Sequence, residues 1–207
     1  MITDPAIEKY LVDLLPPRDE VLSEMETLAA RNKIPIIGPT VATFLSLLVT
    51  VSGAKRIFEL GSAIGYSTIW LARAAGPSAE IHYSDGSAEN AKLAQGFFER
   101  AGVASKIQVH VGDALTALAG TPGQFDMLFN DVDKEGYPAV LDVAPSRLKP
   151  GGLFITDNTL WHGRVLHPES AEDHGVVTFN QRLKKSKVFR ITSVLPIRDG
   201  VSVAVRL

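Results

Sequence analysis

Two apolar runs in this chain stop abruptly at oxygen-bearing side chains. One is Phe125-Asp126-Met127-Leu128-Phe129-Asn130, followed by Asp131-Val132-Asp133-Lys134. The other is Leu153-Phe154-Ile155-Thr156, followed by Asp157-Asn158. In open α/β sheets, ligands gather at the carboxyl ends of the strands. If the two runs are neighbouring strands, Asp131 converges there with Asp157 and Asn158. Two carboxylates and an amide oxygen suit a hard divalent cation such as Mg²⁺. Solvated acidic loops would show the same residue types. Lys134, three residues beyond Asp131, is a candidate general base if neighbouring positive charge lowers its pKa. The same residue also reads as an ordinary surface lysine.

Upstream lies Phe58-Glu59-Leu60-Gly61-Ser62-Ala63-Ile64-Gly65-Tyr66-Ser67, a strand running through a glycine turn into a helix. Glycine lets backbone approach a ligand closely, and a helix N-terminus offers free N–H groups to an anion. The Gly61-x-x-x-Gly65 spacing differs from the dinucleotide fingerprint, and a tight structural turn is the alternative. Asp85 ends the next apolar run, twenty residues beyond Gly65. A carboxylate there can accept both hydroxyls of a ribose; a turn or helix-capping aspartate is the other reading. Gly112-Asp113-Ala114 ends a third run and can line an adenine, while Asp113 can also cap the following helix. Together the glycine turn and the acidic strand ends indicate a nucleotide-type cofactor and a divalent cation in one cleft.

The five histidines, at 82, 110, 162, 167 and 174, show no ligand spacing. His162 is singled out because Trp161-His162-Gly163 follows the Asp157-Asn158 strand end. Trp161 is either core or the wall of an aromatic substrate pocket.

The elements that must hold these residues follow from apolar periodicity. Helices are expected over 5–14, 19–31 and about 40–52. Strands over 56–60, 80–84, 106–111, 125–130 and 152–156 alternate with helices over 66–75, 87–101, about 113–118 and about 137–148. Such alternation implies a parallel sheet with helices on both faces. Residues 189–195 and 201–207 flank an Asp199-Gly200 turn and read as an antiparallel hairpin at one sheet edge. Residues 165–177 lack clear periodicity and read as a site-covering loop. One domain over 1–207 is expected, with 1–37 as a helical segment.

Composition sets limits. At 207 residues and 45% hydrophobic content, the chain can bury a real core. A formal charge of −2 gives no global pull toward nucleic acid or anionic lipid. Without cysteine there are no thiol nucleophiles or Cys-ligated metals, which suits a reducing compartment. No apolar stretch reaches the ~18 residues of a membrane span, and the N-terminus lacks a basic-then-apolar leader pattern. A soluble cytoplasmic protein is expected.

Four stretches, in order and at fitting spacings, resemble the cation-dependent O-methyltransferases, the family of catechol and caffeoyl-CoA O-methyltransferases. They are Glu59-Leu60-Gly61 with Gly65-Tyr66-Ser67, Asp131-Val132-Asp133-Lys134, Asp157-Asn158-Thr159-Leu160-Trp161, and Leu195-Pro196-Ile197-Arg198-Asp199-Gly200. The resemblance runs from about residue 38 to 207. It implies a Rossmann-like class I methyltransferase fold, a seven-stranded sheet with a reversed last strand, and S-adenosylmethionine (SAM) as methyl donor. It implies that Glu59, Gly61 and Ser67 contact the methionine end, Asp85 the ribose, and Asp113 with Ala114 the adenine. It implies Asp131, Asp157 and Asn158 as metal ligands, Asp133 on the cofactor or substrate side, Lys134 as base, and a homodimer. The 1–37 segment would shape the pocket of a small hydroxylated acceptor.

Departures from the family pattern are Asn130 in place of an apolar strand residue, Ser87 for a frequent Asp, Val41-Ala42-Thr43 for Glu-Gly-Gln, and His162 for Asn. Some relatives resemble tRNA hydroxyuridine methyltransferases, and Arg182, Lys184, Lys185, Lys187 and Arg190 could hold phosphates, although such a run is also what a solvated helix face looks like. A non-catalytic SAM-binding module is the reading from another class.

Overall fold

Seven strands form one sheet in the order β3-β2-β1-β4-β5-β7-β6. They are β1 (Arg56–Leu60), β2 (Glu80–Asp85), β3 (Ile107–Val111), β4 (Phe125–Asn130), β5 (Leu148–Thr156), β6 (Phe189–Leu195) and β7 (Val201–Arg206). The first five are parallel; β7 runs antiparallel to both β5 and β6. The computed structural model describes residues 4–207. The reading of an N-terminus without a leader rests partly on residues 1–3, which lie outside the described residues.

Among the described residues, eight α-helices accompany the sheet: α1 (Pro5–Leu14), α2 (Glu20–Asn32), α3 (Gly38–Ser52), α4 (Tyr66–Ala75), α5 (Ala88–Arg100), α6 (Ala114–Gly120), α7 (Tyr137–Arg147) and α8 (Ala171–Lys184). Alternation along β4 explains the two layers. Met127 and Phe129 point to a core shared with α3, α4 and α5. Leu128 points to the opposite core, built with Tyr137, Val140, Phe179 and Leu183 of α7 and α8. Both faces of the central strands are therefore apolar, as a doubly wound sheet requires. Among the described residues, no helix is long and apolar enough to cross a membrane.

Two expectations are corrected. Residues 165–177 are not a loop throughout, since α8 begins at Ala171. Ser170 accepts from the Asp173 backbone N–H, and the Asp173 side chain accepts in return from the Ser170 N–H, a reciprocal cap that starts the helix. Strand β5 begins at Leu148 rather than 152. Leu148 pairs with Phe125, and the register shifts before Met127–Leu153 to accommodate Pro150 and the positive φ of Gly151.

The chain fills the sheet from β1 out to β3, then returns to place β4 on the other side of β1. The carboxyl ends of β1 and β4 thus flank the topological switch point, where such sheets bind ligands.

Candidate active site

A cavity of about 890 Å³ opens at these strand ends. That is near the upper end of the ~300–1,000 Å³ span of small-molecule sites. Gly61, Ala63, Asp85, Asp113 and Ala114 line one part, and Asp131, Asp133, Lys134, Asp157, Asn158, Trp161 and His162 line another. Pro35, Ile36 and Ile37, between α2 and α3, also reach the wall.

The glycine turn is fixed by close approach. A Cβ on Gly61 (φ +81°) would lie 2.4 Å from the Asp131 carbonyl oxygen. The Asp131 N–H donates to Leu60 O at 2.8 Å, locking the two strand ends together. Gly65 serves packing instead, because a Cβ there would meet the Phe98 ring at 2.5 Å. Glu59, Gly65 and Ser67 do not line the cavity. Glu59 is buried and accepts a short hydrogen bond from the Thr68 hydroxyl. Burial pushes its carboxyl up to about 7, against the pull of the Ser67, Thr68 and Ser62 hydroxyls.

Asp85 bridges the glycine turn and the next helix. One carboxylate oxygen accepts from the Ala63 N–H (2.9 Å), and the other from the Ser87 N–H (2.9 Å) and Asn90 Nδ2 (3.0 Å). It therefore ties the glycine turn to the start of α5 while facing the cavity. Ser87 caps α5 through the Asn90 N–H, so its exchange for Asp leaves the helix start satisfied. Asp113 likewise caps α6, accepting from the Thr116 N–H at 2.7 Å, and lines the cavity.

Across the cavity, Asp131 and Asp157 follow adjacent strands, with Asn130 and Thr156 in register. The Asp157 N–H donates to Asn130 O (3.1 Å), and the Tyr137 hydroxyl donates to Asp157 O (2.9 Å). Asp157 is buried, and its Oδ1 has no hydrogen-bond partner. Burial and the charge of Asp131 push its carboxyl up to about 7. Burial also raises Asp131, against the charge of Lys134. Lys134 Nζ donates to Asp131 Oδ1 (2.9 Å) and Val132 O (3.2 Å), and lies 5.3 and 5.4 Å from the Tyr137 and Trp161 ring centres.

The unpartnered Asp157 Oδ1 beside a second carboxylate fits a cation. Its donors are hard oxygens, and the cluster lacks positive charge beyond Lys134 and Arg198. Among the described residues no group of three or more histidine and carboxylate side chains could by itself hold a metal ion; a cation held here would have to draw on Asp131, Asp157 and the Asn158 amide. His82 and His110 are instead stacked at 5.2 Å with Nδ1···Nε2 at 2.9 Å and are not part of the cavity lining.

Sequence reasoning missed the supports. Trp161 Nε1 donates to Asp173 Oδ1 of α8 (2.9 Å), and the Arg164 guanidinium covers its ring at 4.7 Å. The His162 N–H donates to Asp199 Oδ1 (2.8 Å), and its ring Nε2 lies 3.1 Å from Asp199 Oδ2. Leu160 and Trp161 donate backbone hydrogen bonds to Asp199 O. The β6–β7 turn thus supports the 158–163 loop from beneath. Positive φ among described non-glycine residues occurs at Lys33 and at Ala63, Asn158, Trp161, His162 and Arg198. All of these except Lys33 line the cavity, a clustering of backbone strain typical of functional sites.

Other expected features fall elsewhere. Val41, Ala42 and Thr43 lie within α3, off the cavity lining. Arg182 pairs with Asp142 of α7, while Lys184, Lys185, Lys187 and Arg190 are exposed away from the cavity.

Comparison with known proteins agrees with this geometry. The O-methyltransferase family matches residues 16–207. Catechol O-methyltransferase of Niastella koreensis is 32% identical over 97% of this chain and 96% of its own. An O-methyltransferase from Bacillus cereus, solved in complex with SAH, is 30% identical, covers 98% of this chain and 97% of its own, and superposes with a TM-score of 0.88. TomG of Streptomyces achromogenes, an O-methyltransferase of tomaymycin synthesis solved with SAM, is 29% identical over 97% of this chain and 96% of its own, with a TM-score of 0.88. With the family match spanning residues 16–207 and a relative 32% identical over nearly the whole length, the chain belongs to the O-methyltransferase family.

Proposed function

We propose that the protein is a SAM- and divalent-cation-dependent O-methyltransferase of a small catechol-like acceptor. The observation that carries the reading is the convergence of Asp131, Lys134, Asp157 and Asn158 on one wall of the cavity whose other wall holds Asp85 and Asp113. The bound neighbours from Bacillus cereus and Streptomyces achromogenes support the donor, and the Niastella koreensis relative supports the acceptor class.

In this reading Asp85 holds the donor's ribose, Asp113 and Ala114 border its adenine, and Gly61 lets its methionine portion approach β1. Glu59 and Ser67 act from beneath that portion. Asp133 lies between the donor and acceptor sides. SAM supplies a methyl group on a sulfonium. Asp131, Asp157 and Asn158 hold the cation, which supplies Lewis acidity toward an acceptor hydroxyl. Lys134, held beside Asp131, takes the hydroxyl proton in its neutral amine form, after giving up its own proton to solvent. Trp161 and His162, with Pro35, Ile36 and Ile37, wall the acceptor side and exclude water. Alignment of the reacting oxygen with the methyl group contributes most of the acceleration. Homodimerisation belongs to the same reading. It is supported by Ile7, Tyr10, Leu11 and Leu14, a stripe on α1 that is exposed throughout.

Two substitutions separate the halves of the site. Asp85→Ala should abolish SAM binding measured by calorimetry. Asp157→Ala should leave SAM binding within a few-fold and abolish methyl transfer. Retention of turnover in Asp157→Ala would refute the assignment.

A further inference from the structure

Arg198 stands where the backbone favours glycine. It occupies the β6–β7 turn with φ +48°, and the Gly200 N–H closes that turn onto Ile197 O at 2.8 Å. An L-residue in this region is strained, and strain of this kind is retained where the side chain is used. Room has been cleared for that side chain. Gly38, itself at φ +71°, lies so close that a Cβ would sit 3.1 Å from Arg198 Nη1. A hydrogen bond from Nη1 to Ile36 O at 2.9 Å anchors the guanidinium. The side chain also lines the cavity, and a guanidinium carries five N–H donors in a planar fork.

The acids nearby are already engaged. Asp199 is held by His162, and Glu172 lies 3.7 Å from Arg164. The charge of Arg198 reaches Asp131 and Asp157, lowering the pKa of each against the effect of burial. The guanidinium lines the same cavity as Asp131, Lys134 and Asp157, and offers a planar donor edge suited to a carboxylate.

We infer that Arg198 is a specificity-determining residue that selects acceptors carrying an anionic group, a carboxylate on the diol ring being the simplest. This rests on the reading of the cavity as a methyltransferase site. It assigns a partner to the strained arginine: the acceptor's carboxylate docks on the guanidinium while its hydroxyls face Asp131, Asp157 and Lys134.

The test compares 3,4-dihydroxybenzoate with its neutral isostere 3,4-dihydroxybenzamide. Wild-type protein should favour the benzoate by about 10- to 100-fold in kcat/KM, mostly through KM. Arg198→Met should bring the ratio close to one, and Arg198→Lys should restore part of it. Arg198→Gly should unfold at the same or a higher temperature, because the strain is relieved, and should still lose selectivity. Equal losses for both acceptors would make Arg198 a mere tether of Ile36 and overturn the inference. A wild-type ratio near one, or loss of SAM affinity in Arg198→Met with the ratio kept, would overturn it too. Calorimetric binding of the two acceptors, with SAH and Mg²⁺ present, decides the point independently of turnover. Absence of turnover with both, SAM being bound, would reject the catechol-like acceptor of the proposed function. Benzoate binding no tighter than benzamide binding would reject the role of Arg198.

Discussion

Gly175, in the second turn of α8, packs directly on Lys134: a Cβ added to Gly175 would lie 2.3 Å from the Lys134 carbonyl oxygen. The helix that sequence periodicity overlooked thus sets the height of the lysine assigned as base. Asp173, half a turn earlier, holds Trp161 from the same helix.

Gly175→Ala is expected to lower stability by about 1–3 kcal/mol through this overlap, although alanine ordinarily gains about 1 kcal/mol over glycine inside a helix. Turnover should fall while SAM affinity holds, because the lysine's backbone is displaced and the donor wall is not. Denaturant unfolding together with steady-state kinetics checks both parts. A more stable variant of unchanged activity would contradict the contact.

Glu59 makes the stability depend on pH. Its carboxyl titrates at about 7 in the fold, above the ~4.3 of an exposed glutamate. The folded state therefore binds the proton more tightly. The stability this contributes is complete below about pH 4 and is lost as pH rises to 7, a change on the order of 3 kcal/mol. Glu59→Gln should flatten that part of the profile. Unfolding free energies of the ligand-free protein between pH 5 and 8 check it, and parallel curves for the two proteins would sink the assignment.

Asn130 is wholly buried on β4 with neither amide atom hydrogen-bonded. Its partners in register, Leu60 and Thr156, offer it no bond, and the Thr156 hydroxyl is itself unpartnered. Asn130→Leu is therefore expected to stabilise the fold by about 1–3 kcal/mol, the cost of leaving a polar group unsatisfied. A lower melting temperature for the variant would count against this.

Much of the fold was legible because its signals are local. The bounds of α1, β1, α4, β4 and β6 coincide with the periodicity, and Gly61 and Asp131 stand at the strand ends where the topology places ligands. Capping residues shift other bounds by a residue or two: Asp19, Ser87 and Asp113 precede their helices rather than opening them.

α8 escaped because Gly175 interrupts its helical character and its core positions, Val176, Phe179 and Leu183, come late. The Ser170-x-x-Asp173 pair was the signal available. The roles of Asp173, Asp199 and Arg198 were not legible, because each acts across the fold: Asp173 on Trp161, Asp199 on His162, and Arg198 on Ile36. No spacing rule joins residues 162 positions apart. Gly65 was legible as a required glycine, but the ring of Phe98 that requires it was not.

The most direct measurement is transfer of labelled methyl from SAM to a 3,4-dihydroxyphenyl acceptor, with Mg²⁺, after EDTA, and after Mg²⁺ is restored. The account predicts labelled monomethylated product with Mg²⁺, loss of product on chelation, and recovery when the cation returns. Transfer undiminished by EDTA, or none with SAM demonstrably bound and Mg²⁺ present, would contradict it.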